Sequence, residues 1–108
     1  MKTAIICVDF DGVLNTYTGW RGDSELYVPR DGAKEFLDEL NKKYVVYIFT
    51  TRDKYKVIDW LDKYGLEYDD VTNSKIGALC YIDDRAIQFN GDYQEVLKEL
   101  SDFKTYWE

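Results

Sequence analysis

Short, near-continuous apolar runs set the strongest constraint on how this chain can fold. Ala4 to Val8, Tyr44 to Phe49 and Leu79 to Ile82 are β-rich and lack the alternation of a half-solvated strand, so they read as strands buried on both faces. A weaker run near Tyr68 to Val71 and another at Ala86 to Phe89 are further strand candidates. Between these runs the apolar period becomes helical. Ala33, Phe36, Leu37 and Leu40 fall at i, i+3, i+4 and i+7 on a helix from about Asp31 to Lys43. Val57, Ile58, Leu61 and Tyr64 repeat the stripe on a second helix, which Asp53 would cap and Gly65 would end; Tyr93, Val96, Leu97 and Leu100 mark a third. Strands alternating with helices imply right-handed crossovers. The expected fold is therefore α/β, a three-layer α/β/α Rossmann-like sandwich with a mainly parallel central sheet. Residues 1–108 should form one domain, because 108 residues leave no room for a second core.

Composition narrows the chemistry. Apolar residues at 45% and aromatics at 17% exclude disorder, and no apolar run approaches the roughly 18–20 residues of a membrane span. Met1-Lys2-Thr3 runs straight into Ala4-Ile5-Ile6 with no secretory leader pattern, so a cytoplasmic location is the expectation. Cys7 and Cys80 lie inside apolar strand-like runs without zinc-ligand spacing, which predicts buried free thiols. The chain has no histidine, which removes the usual serine and cysteine triads and leaves acid/base work to carboxylates, lysine or tyrosine. With 14 basic and 21 acidic residues the net charge is −7, against a general grip on nucleic acid. An anionic small substrate would need local help from a metal ion.

In parallel α/β sheets ligands bind beyond the carboxyl ends of the strands. Here those ends read Asp9-Phe10-Asp11, Thr50-Thr51-Arg52 and Asp83-Asp84-Arg85. Each acid or threonine alone could merely end a strand and cap the next helix. Together they place four carboxylates on one edge, where they repel one another unless a cation joins them. A calcium loop does not fit, because the EF-hand pattern needs Asp or Asn, Gly and Glu where this chain has Val13, Leu14 and Trp20. Magnesium suits the set better: it takes one or two carboxylates, keeps several waters and is completed by a phosphate oxygen.

The segments "VDFDGVL", "VVYIFTTRD", "NSKIGA" and "CYIDDRA", in that order across nearly the whole chain, resemble the four motifs of the haloacid dehalogenase superfamily. Most members are magnesium-dependent phosphohydrolases. The resemblance implies Asp9 as the nucleophile forming an aspartyl-phosphate and Asp11 as general acid/base. Thr50 would hydrogen-bond the transferring phosphoryl group, with Thr51 beside it as a substrate contact. Lys75 would neutralise charge on the nucleophile and phosphoryl oxygens, a role for which Lys54 or Lys56 could compete. The implied Mg2+ set is Asp9, Asp11, Asp84 and Asp83: Asp84 as the third ligand, Asp83 orienting Lys75 or a metal-bound water, and Asp11 contributing its backbone carbonyl.

Larger relatives in that superfamily carry a cap domain after the first motif or between the second and third, and neither interval here has room for one. The site should be open, suited to a phosphorylated small molecule or macromolecule, or covered by another subunit in a homo-oligomer. The interval after Gly12 reads as a short flap with Tyr17, Trp20, Arg21 and Tyr27. Trp20 could stack on a planar group and Arg21 could hold a second anionic group; packing on the domain or a dimer contact is the alternative. Two other functions share such a sequence: a catalytically silent binding module of the same fold, and a response-regulator-like phosphoacceptor. The latter carries its acidic pair on the first strand and its accepting aspartate on the third, the reverse of the order here.

Overall fold

The computed structural model describes residues 2–17 and 26–104. Its elements run β1 (Ile5–Asp9), α1 (Ala33–Lys43), β2 (Val45–Phe49), α2 (Lys54–Lys63), β3 (Asp70–Thr72), β4 (Cys80–Ile82) and α3 (Tyr93–Ser101). The strands form one all-parallel sheet in the order β3-β2-β1-β4. This is the α/β alternation expected. The segment 86–89 is not a strand, so among the described residues β4 is an edge of the sheet.

Pairing in register lines up alternate side chains. Ile6 and Val8 of β1 stand beside Val46 and Ile48 of β2, and Ile48 beside Val71 of β3. These five residues share one sheet face, and Ala33 and Leu37 of α1 with Val57, Trp60 and Leu61 of α2 close over them in a single buried cluster. Both helices are built for this. α1 follows Gly32, whose φ of 87° turns the chain into it. In α2, the Asp53 carboxylate accepts from the Tyr55 backbone N–H, and Gly65, at φ 69°, lets the chain leave after the last turn.

The other face of the sheet carries no packed helix among the described residues. Among the described residues α3 lies apart from the other elements, although Asp92 caps it through the N–H groups of Gln94 and Glu95. Tyr93 is 75% exposed, and Leu97 and Leu100 are each 59% exposed. The radius of gyration, 14.8 Å, exceeds the roughly 13 Å of a compact domain this size. The sheet face bearing Ile5, Tyr47, Phe49 and Tyr81 is accordingly half-buried where a sandwich would bury it. Cys7, on an interior strand, is buried as expected; Cys80, expected to be a buried thiol, is exposed because among the described residues β4 has neither a strand beyond it nor a helix over it. No helix among the described residues is long and apolar enough to cross a membrane.

This division of the core predicts unequal costs for equal deletions. Leu37→Ala, in a fully buried position, should cost about 2–5 kcal/mol. Leu97→Ala should cost less than about 0.5 kcal/mol in the same urea titration. Similar losses for the two would put α3 against the sheet in solution.

Candidate active site

The site begins where β1 runs out of apolar residues. Phe10 continues the strand's alternation into the core, is wholly buried and meets the Trp60 ring edge-on at 4.9 Å. That anchor leaves Asp9 and Asp11 on the opposite side of the backbone from Phe10. Parallel pairing of β1 with β4 then sets Val8 beside Ile82, so Asp9 emerges next to Asp83 and Asp84. One carboxylate oxygen from each of Asp9, Asp83 and Asp84 lies within 4.8 Å of the other two. At that spacing and an effective dielectric of about 20, each pair of full charges repels by on the order of 3 kcal/mol.

Asp9 registers the strain. Burial first, and then the charges of Asp83, Asp84 and Asp11, push its carboxyl up from 3.8 to about 7, while Arg85 pulls the other way. The Asp84 side chain is 3% exposed and 3.4 Å from the Arg85 Nε. Its carboxylate lies over Gly12, where an added Cβ would come within 2.0 Å of Asp84 Oδ2, and the φ of 85° at Gly12 also favours glycine. The glycine after the Asp-x-Asp is thus what lets β4's acid reach β1's.

Asp11 has a different environment. Its carboxylate accepts from Arg52 Nε at 2.8 and 3.1 Å and from Asn15 Nδ2 at 2.9 Å, and the Arg52 side chain is 1% exposed. Asn15, wholly buried, is saturated: its Oδ1 accepts from Gly12 N and Tyr17 N, and its Nδ2 donates to Asp11 and the Leu26 carbonyl. An antiparallel bridge between Asn15 and Pro29, with Thr16 N donating to the Val28 carbonyl, makes this the stem of the flap. Neither Asn15 nor Arg52 was singled out from the sequence as a site residue. A lone amide among Val13, Leu14 and Tyr17 was the available signal for the first; the second had only its place after two threonines.

At the end of β2, Thr50 is 2% exposed and its Oγ1 accepts from the Arg52 backbone N–H. Thr51 is exposed. Asn73 clamps this turn by donating from Nδ2 to the carbonyls of Thr50 and Arg52, a role not read from the sequence. Lys75 is exposed, with its Nζ 5.4 Å from the centroid of the Tyr81 ring, and forms no salt bridge to a carboxylate among the described residues. Lys54 lies over Tyr55. Tyr17 is buried, edge-on to Tyr27, with the guanidinium carbons of Arg52 and Arg85 6.0 and 5.6 Å from its ring centroid. Trp20 and Arg21 lie outside the described residues. The structure therefore gathers Asp9, Asp83 and Asp84 into one group, sets Asp11 beside it on Arg52, and leaves Lys75 on the Tyr81 ring.

Three carboxylates without a histidine or cysteine form a hard, all-oxygen donor set, and it fits a divalent cation such as Mg2+. The upward shift of Asp9 comes first from its burial and then from this crowding of charge. Comparison of the chain with protein-family models, with curated proteins and with solved structures returns no match.

Two stability measurements test this electrostatic picture. Folded Asp9 keeps its proton to about pH 7, whereas the unfolded chain releases it near 3.8, so the unfolded state binds fewer protons between those values. Stability of the metal-free protein should therefore fall as pH rises across that window, with Asp9 contributing on the order of 2 kcal/mol after allowance for its partial exposure. Asp9→Asn should remove that contribution, read as a wild-type minus variant difference in urea titrations at pH 4 and pH 8 in chelator. A difference that does not change with pH would refute it. Separately, Arg52→Met should cost about 3–5 kcal/mol by leaving the Asp11 carboxylate without its buried partner, and Asp11→Asn in the same background should recover part of the loss.

Proposed function

We propose that the chain is a magnesium-dependent phosphomonoesterase of the haloacid dehalogenase type, without a cap domain, working through an aspartyl-phosphate on Asp9. One observation carries this reading: Asp9, Asp83 and Asp84 converge at the carboxyl ends of two adjoining parallel strands, with the buried Thr50 at the end of the next strand. Asp9, Asp83 and Asp84 would hold the cation, and the backbone carbonyl of Asp11 would complete its shell. When bound, Mg2+ supplies charge neutralisation for the carboxylates and for the phosphoryl oxygens.

The chain's own groups then divide the work. A carboxylate oxygen of Asp9 attacks phosphorus, the bond from phosphorus to the ester oxygen breaks, and Asp11 gives its proton to the departing alkoxide. A water molecule next attacks the phosphorus of the acyl phosphate and passes a proton to Asp11, freeing phosphate and the Asp9 carboxylate. Arg52 and Asn15 fix the direction in which Asp11 presents its oxygens. Since Thr50 Oγ1 already accepts from Arg52 N, its O–H is left to donate to a phosphoryl oxygen. Lys75 would have to leave the Tyr81 ring to serve the same oxygens. That placement favours a second reading, a silent phosphate-binding module on the same scaffold.

The substrate is a phosphoester of a small molecule or a macromolecule, met at the strand-end edge beside the flap stem at Asn15 and Thr16. Phosphate release from a panel of phosphomonoesters should require Mg2+ and stop in excess chelator. Asp9→Asn should lower kcat by at least about 10³-fold and abolish covalent capture of phosphate, because an amide is a poor nucleophile. Asp11→Asn should turn over poorly while still binding phosphate analogues. Multiple turnover by Asp9→Asn would rule out the aspartyl-phosphate route. Analogue binding with no turnover of any ester by wild type would favour the silent module.

A further inference from the structure

Each half of the site has an arginine, and the two are held very differently. Arg52 is buried to 1% exposure and grips Asp11 through two hydrogen bonds, a pairing that nothing short of local unfolding would exchange. The Arg85 side chain is 43% exposed and touches Asp84 Oδ1 at 3.4 Å, beyond the 2.7–3.2 Å range of a true N–H···O bond. Its guanidinium carbon is 5.6 Å from the Tyr17 ring centroid, and the Tyr17 hydroxyl also engages it. Tyr17 is itself locked, 7% exposed and edge-on to Tyr27, so it is a fixed platform beside a loosely held cation. The backbone of Arg85 is pinned as well, its N–H donating to Asp83 Oδ1 at 3.0 Å. The side chain can therefore move while its root stays at the carboxylates.

Charge decides what this cation is for. When ionised, Asp9, Asp11, Asp83 and Asp84 carry four negative charges, and among the described residues Arg52 and Arg85 form salt bridges to Asp11 and Asp84. The four carboxylates outnumber these two guanidiniums by two charges, the charge of one divalent cation. Such a cation, held by Asp9, Asp83 and Asp84, would sit among the same carboxylates that now attract Arg85. A guanidinium and a divalent ion cannot share those oxygens without strong mutual repulsion.

We propose that Arg85 is a tethered, exchangeable counter-ion. In the metal-free protein it leans on Asp84 and limits the repulsion among the three carboxylates. On metal loading it withdraws from Asp84 but stays over Tyr17, where its freed charge faces an anion entering the open edge. Metal loading and readiness for an anionic substrate are in this way one event. Arg85 acts here as a positioning residue, through the carboxylates and the metal.

This inference rests on the metal reading of the Asp9, Asp83 and Asp84 cluster, and calorimetric titration with Mg2+ separates the two. Arg85→Gln should bind Mg2+ about tenfold more tightly than wild type, because the competing charge is gone. Arg85→Lys, which keeps the charge, should stay within about twofold of wild type. In a 15N-labelled protein the Arg85 Nε–H resonance, identified by its loss in Arg85→Lys, should shift as Mg2+ saturates. Equal or weaker binding by Arg85→Gln would overturn the proposal, as would a stationary Nε–H resonance at saturating Mg2+. If wild type and both folded variants all fail to bind Mg2+, the metal reading itself falls and this inference falls with it.

Discussion

The hydrogen-bonded register between β1 and β4 is the constraint on which the rest of the site depends. Once Val8 lies beside Ile82, the next residues of both strands must emerge together, and in this chain those residues are Asp9 and Asp83, followed by Asp84. The apolar pairs behind them hold the acids in place: Ile6 and Val8 are locked into the buried cluster, so β1 cannot slip by one residue without turning that cluster to the open face. Core packing and site electrostatics are therefore coupled. Burial of Asp9 first, and then the crowding of carboxylates that the register forces, lift its carboxyl to about 7.

Around this repulsion the chain has built two kinds of compensation. The first is permanent and internal. Arg52, Asn15 and Asn73 satisfy one another's neighbours in a dense set of hydrogen bonds that joins the flap stem, the end of β2 and the turn after β3. A buried pair such as Asp11 and Arg52 gains its specificity from geometry more than from net energy, since desolvation offsets most of the attraction. It serves to hold one carboxylate in one orientation. The second kind is incomplete: Arg85 offsets only part of the charge on the opposite side, and Asp9 is left with a carboxyl that ionises near neutrality. A site with one acid held by buried partners and one group of three crowded carboxylates is divided into a fixed half and a half under electrostatic strain.

What could be read in the sequence follows from what each signal measures. Apolar runs report burial on both faces of a strand, and β1, β2 and β4 came through because Ile6, Val8, Val46 and Ile48 are central and Ile82 pairs directly with Val8. Helical periodicity reports an apolar face and is silent on whether the face is covered. The stripe Tyr93, Val96, Leu97 and Leu100 thus correctly announced α3 but not its separation from the sheet, and Cys80 was misjudged for the same reason. The strand ends were legible as acids, because carboxylates interrupting an apolar run are conspicuous. Which acid joins which was not, since Asp11 is held apart by Arg52 and Asn15, partners 41 and 4 residues away along the chain.

That no helix among the described residues packs on the second sheet face bears on the site as well as on the core. β4 supplies two of the three clustered carboxylates, yet among the described residues it is a three-residue edge strand paired on one side only, and its Cys80 and the preceding Leu79 are exposed. An edge strand so short opens more readily than the β1–β2 pair beside it. The acids at the end of β1 are consequently anchored to an interior strand, while Asp83, Asp84 and Arg85 follow a short edge strand. Whatever bridges Asp9 to Asp83 and Asp84 also bridges β1 to β4. A cation bound there would reinforce the seam between β1 and β4, so that occupancy of the site and order of the edge strand are linked by the same three carboxylates.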